Sequence, residues 1–228
     1  MNIKIKKSDK LLFIIVITLV ASYLLIKCFS YKSEPLLMEY AKNTTTNIIT
    51  SIINNSVNNI IYKNDYDNLI IIEKDNYNRI TNMNFNTKKI NEILYKSTDL
   101  LLYNIKELEN GKYNNINSKY INNSDMVYYI PIGIIHDIPI LINIGPKIPF
   151  KIEMIGSVDN TTETNVKDYG INSSIIEVFL SVKIDIQVIL PFKSDNISIN
   201  KKILLESKII QGQIPEYYGG LVTNSLTK

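Results

Sequence analysis

IPIGIIHDIPILINIGPKIPFKIEMIGSV, residues 130–158, is the most telling stretch of this chain. Ile-rich runs are cut at Pro131, Gly133, Pro139, Gly145-Pro146 and Pro149. Short β-branched runs bounded by turn formers predict buried strands joined by tight connections. Gly145-Pro146 is the sharpest break, because proline fixes its own φ and pushes the residue before it out of the helical region.

Working outward, the chain beyond residue 126 reads as mostly strand. The expected strands are Met126–Ile130, Ile134–Ile144, Phe150–Val158, Ile175–Leu190 and Ile197–Gln211. Val182, Ile184, Ile186 and Val188 alternate with Lys183, Asp185 and Gln187, the pattern of an antiparallel strand with one wet face. Pro191 ends that strand, and a hairpin to Ile197–Gln211 follows naturally.

Upstream the pattern is helical. Ser33-Glu34-Pro35 predicts a helix start, and Leu37, Ala41, Ile48, Ile49, Ile52, Ile53 and Val57 give it one apolar face. The expected role of that face is packing on the domain's own sheet. Leu69–Glu73 and Arg79–Phe85 predict a hairpin around Asp75-Asn76-Tyr77-Asn78. A second helix follows from an Asn86 or Thr87 cap, with Ile90, Ile93, Leu94, Ser97, Leu101, Ile105 and Leu108 as its buried stripe and Gly111 as its end. Lys112–Asp125 is polar and reads as a loop.

The N-terminus differs from the rest. Lys4, Lys6, Lys7 and Lys10 precede an unbroken apolar run, Leu11–Ile26. At a rise of about 1.5 Å per residue such a helix covers roughly 24 Å, and more if Lys27 snorkels. Lysines before the run predict a cytoplasmic N-terminus and an exported body. Residues 1–10 are thus expected as a basic tail, 11–30 as an uncleaved transmembrane signal anchor, and 31–228 as one exported α+β domain with two helices packed on a mostly antiparallel sheet. The formal charge of +3 belongs to the tail, since residues 1–30 hold Lys4, Lys6, Lys7, Lys10 and Lys27 against Asp9 alone. A near-neutral body does not fit nucleic acid as a partner.

The residues suggest no reaction and no cofactor. His136 is the sole histidine, and Asp137 beside it would point to the opposite face of a strand. Cys28 is the sole cysteine, so a disulfide or a zinc site of the usual kinds is not expected within the chain. Glu153, Asp159, Glu163, Asp168 and Glu177 could in principle supply the paired carboxylates of a glycosidase, but their spacing selects no pair. Tyr128-Tyr129 and Tyr217-Tyr218 could form a binding surface or simply pack.

Pro131-x-Gly133, Gly145-Pro146-x-x-Pro149, Gly170-Ile171-Asn172 and Gly212-x-x-Pro215-x-Tyr217, in that order behind an apolar N-terminal segment, resemble the YunB family of sporulation proteins. In this chain Ser173-Ser174 follows the third motif, a departure from the family pattern. The resemblance implies a role in spore formation, at the mother-cell membrane around the forespore. The expected partners are the membrane and other sporulation envelope proteins. A non-enzymatic envelope assembly factor fits best. The alternatives are a cell-wall hydrolase or modifying enzyme, and a glycan- or lipid-binding module.

Overall fold

A computed structural model describes residues 7–63, 66–77, 79–113, 128–135, 139–170 and 172–212, with side chains except at 7–12, 25–26, 28–30, 139, 141 and 143. The fold is α+β, a curled antiparallel sheet with helices on one face.

Helix α1 runs unbroken from Lys7 to Lys63. It passes straight through Ser33-Glu34-Pro35, where the sequence predicts a start. Pro35 costs one backbone hydrogen bond. It is exposed, so water can serve the carbonyl it leaves free, and long helical stretches hold both flanks. Leu37, Met38, Ala41, Ile49, Ile52, Ile53 and Val57 are buried, the face the periodicity predicts. Toward the N-terminus the helix leaves the body, and Phe13–Leu24 is exposed throughout. No helix among the described residues is long and apolar enough to cross a membrane. The expected anchor at 11–30 falls partly on side chains outside those described.

Strands β1 (Ile70–Lys74) and β2 (Ile80–Phe85) form the expected hairpin. Asp75 builds its turn, its Oδ1 accepting from the backbone N–H groups of Tyr77 at 2.9 Å and Arg79 at 2.8 Å. Helix α2 (Thr87–Glu109) is capped by the Asn86 side chain, which accepts from Lys89 N. It buries Ile90, Ile93, Ser97, Leu101, Ile105 and Leu108. The Lys112–Asp125 loop lies outside the described residues beyond Tyr113.

Five strands follow: β3 (Tyr128–Pro131), β4 (Lys147–Met154), β5 (Asp159–Asp168), β6 (Ser173–Leu190) and β7 (Lys193–Gln211). The central strand is β6. Strand β7 runs along the whole of one edge of it. Strands β4 and β5 share the other edge end to end, β4 beside Ile186–Ile189 and β5 beside Ser174–Lys183. Strand β3 pairs with β4 on its far side. The even-numbered residues of β6 from Ile176 to Leu190 are buried under α1 and α2, and Lys183, Asp185 and Gln187 face outward, as the alternation predicts.

Two further departures lie in the second half of the chain. The segment Ile134–Ile144 is not a strand: helix α3 spans Ile132–Ile135 and helix α4 spans Pro139–Ile144. A short apolar run carries no period that separates a buried strand from a turn of buried helix. Strand β5 was not expected, because DNTTETNVKD has no apolar alternation; it is held by its ladder to β6. The strand expected at Phe150–Val158 starts earlier, at Lys147, and ends at Met154. Pro149 sits inside it opposite Tyr129, where β6 has not yet begun to pair on the other side and no donor is needed.

Candidate functional site

The motif residues gather at the two ends of β6. At about 3.3 Å per residue those ends lie roughly 55 Å apart.

The near end holds the β6–β7 turn. Pro131 closes β3 and is buried, and Gly133 is buried in α3. Gly145-Pro146 links α4 to β4, and the Pro146 carbonyl accepts from Ile132 N at 3.1 Å. The break is real, but it joins a helix to a strand rather than two strands. Pro149, Lys151, Ile189, Leu190 and Pro191 line a small apolar notch of about 210 Å³. Beneath it Tyr128 and Phe150 pack with ring centroids 5.3 Å apart, so Tyr128 belongs to the core, and burial pushes its phenol pKa up. Helix α1 is clamped to this end by charge. Lys42 Nζ lies 2.6 Å from Asp195, and Lys193 Nζ lies 3.5 Å from Glu34. The Lys42 ammonium holds the Asp195 carboxyl below its ordinary range.

The far end holds the β5–β6 turn and the last residues of β7. Gly170 has φ +80°, a left-handed conformation that a side chain would strain. The Asn172 carbonyl accepts from Gly212 N at 2.7 Å, extending the β6–β7 ladder by one rung past Ser173–Gln211. A Cβ on Gly212 would meet that carbonyl at 3.4 Å, the near limit of ordinary contact. Gly170, Asn172 and Gly212 thus form one structural corner. Pro215 and Tyr217 lie outside the described residues, as do His136 and Asp137.

Beside this corner lies a device the sequence reading missed. Leu205 is bulged out of the β6–β7 ladder, so that Phe179 pairs with Leu204 but Val178 with Glu206. One extra residue turns the following side chains to the other face. Glu206 and Lys208 therefore point inward, onto β1. Glu206 Oε2 accepts from Leu69 N and Ile70 N, while Lys208 Nζ donates to the Ile70 carbonyl and lies 3.0 Å from Glu206 Oε1. The adjacent Leu204-Leu205 pair, which breaks the alternation, was the available signal. Between the hairpin and the end of β7 opens a cleft of about 650 Å³, with Lys74, Arg79, Ile209 and Gly212 on its walls.

Two of the five candidate carboxylates are engaged by lysines. Glu163 pairs with Lys202, which also lies over the Phe179 ring at 4.8 Å, and Glu177 pairs with Lys167 at 2.9 Å. Among the described residues no three His, Cys, Asp or Glu side chains come together as a metal site.

Residues 127–217 match the family model described as sporulation protein YunB. A Bacillus subtilis (strain 168) protein named sporulation protein YunB is 29% identical over 190 residues, covering 82% of this chain and 72% of that one. No solved structure matches. The matched region begins just before β3 and takes in both motif ends and the whole five-stranded sheet. The family that the order of prolines and glycines resembles, the YunB sporulation proteins, is thus the one whose model residues 127–217 match.

Proposed function

We propose that the chain serves spore formation as a membrane-anchored envelope protein, its body exported and acting through contacts with other sporulation envelope proteins. The family supports the sporulation role. The observation that carries the anchor is the exposed apolar run Phe13–Leu24, continuous in one helix with the stripe that builds the core. Water is a poor home for the nine large apolar side chains exposed there, and a bilayer is a good one. The lysines before the run orient it N-terminus inward. The carboxylates paired with Lys202 and Lys167 favour a contact role over a hydrolase.

The test is topology joined to replacement. With the chain expressed in the plasma membrane of vegetative cells, protease added outside protoplasts should remove a C-terminal tag and spare an N-terminal one. An unrelated N-in transmembrane segment in place of Leu11–Ser30 should retain sporulation. Protection of the C-terminal tag, or a mature N-terminus at Tyr23, defeats the anchored, exported reading.

A further inference from the structure

We propose that the near end of the body is a membrane-contacting surface, with Ile140, Ile144 and Phe192 seated among the lipid headgroups. This rests on the anchor reading and adds a second, independent contact to it.

The strand register fixes the placement. Lys151 pairs with Ile189, so the residues before it on β4 run past the end of β6, toward Pro191 and Phe192. Helices α3 and α4 connect Pro131 to Lys147, which pair with each other at that same end. Helix α1 emerges there too, since Glu34 and Lys42 bind the residues just after the turn. The exit of the apolar helix, the β6–β7 turn and α4 therefore share one end of the molecule.

The depth also fits. From Glu34, level with the turn, back to Ser30 is four residues, or about 6 Å of helix. A headgroup layer is roughly 5–8 Å thick on each side of the hydrocarbon core. If the anchor ends near Ser30, the turn and α4 lie within that layer.

The side chains suit such a surface. Ile140 and Ile144 are one helical turn apart on the same side of α4, 68% and 81% exposed. Phe192 is 49% exposed at the tip of the turn. Lys32, Lys147 and Lys151 are exposed at the same end. Apolar side chains rimmed by lysines are the chemistry that an anionic bilayer surface recognises. Continuity with the apolar run of α1 favours lipid over a second protein as the occupant.

The full chain, with Cys28→Ser, is reconstituted into phosphatidylglycerol-containing vesicles with or without brominated acyl chains. A single environment-sensitive fluorophore is placed through Ile144→Cys, Phe192→Cys or, at the opposite end, Tyr77→Cys. The expected result is blue-shifted emission at 144 and 192 that bromine strongly quenches, and unquenched, water-like emission at 77. The quenching should weaken in purely phosphatidylcholine vesicles. Vesicle flotation is read first. A chain that does not float removes the anchor reading and this proposal with it. A chain that floats with labels 144 and 192 as wet as 77 overturns this proposal alone. A blue shift without bromine quenching assigns the patch to protein, a second copy included, and likewise overturns it.

Discussion

The two ends of the long sheet use the same residue types to opposite purpose. At the far end Gly170, Asn172 and Gly212 close a corner, and Glu206 with Lys208 saturates the start of β1. Polar groups there are spent inside the fold. At the near end Pro131, Gly133, Gly145, Pro146 and Pro149 let the chain leave the sheet, make two short helices and return. Apolar side chains there are left pointing out. Turn residues alone do not say which outcome follows. What differs is where the partners lie: Glu206 and Lys208 reach inward onto β1, whereas the ion pairs of the near end, Lys42–Asp195 and Lys193–Glu34, lie at the surface.

The largest expected effect that tests this contrast is at the far end. Glu206→Ala leaves two backbone donors and Lys208 without their carboxylate. It should cost about 3 kcal/mol, the scale of a charged acceptor removed from a partly buried network. Urea unfolding measures it, and hydrogen exchange should speed up selectively in β1. Ile144→Ser at the near end should leave the urea midpoint almost unmoved. If the two substitutions cost the same, the contrast is false.

A smaller effect separates the two motif glycines. Gly170→Val must hold a β-branched residue at positive φ and should lose about 1–2 kcal/mol. Gly145 is not among the glycines at positive φ, and the extended backbone before proline accepts valine, so Gly145→Val should lose clearly less. Thermal midpoints of the two variants decide the order, and a reversed order would place the strain at the near end.

The smallest effect is acid-dependent and belongs to the near end. The Asp195 carboxyl is held below its ordinary range by Lys42, so the stability it brings is present above the unfolded-state value and lost as pH falls through the folded one. The native chain should be slightly more stable than Asp195→Asn at about pH 7, and the two should converge in acid, once pH has fallen below the lowered folded value. Because the pair is exposed, added salt should also shrink the gap. A gap that persists in acid would mean that Asp195 acts by packing rather than charge.

Much of this was legible. Besides the stripe from Leu37 to Val57 in α1, the clearest cases are α2, whose cap and stripe follow from Asn86 and Ile90–Leu108, and β6, whose alternation shows in Val182–Val188. These elements each bury one face, and burial imposes a period. Strand β5 left no such trace, because it gains its place from ladder bonds rather than burial. Helices α3 and α4 escaped because four and six residues are too few to show a period. The motif residues were visible singly, but their division between two ends depends on which strands pair. The Glu206–Lys208 clamp depends on a one-residue bulge that reverses the faces of everything after it.

The continuity of α1 has one more consequence. A flexible tether would let the body tumble, whereas a single helix from Lys7 to Lys63 makes rotation a matter of counting residues. Each residue between the projecting segment and the packed face turns the body by about 100° and moves it about 1.5 Å. The azimuth of the sheet, and hence which neighbours the far corner can meet, is written into the spacing between Leu24 and Leu37.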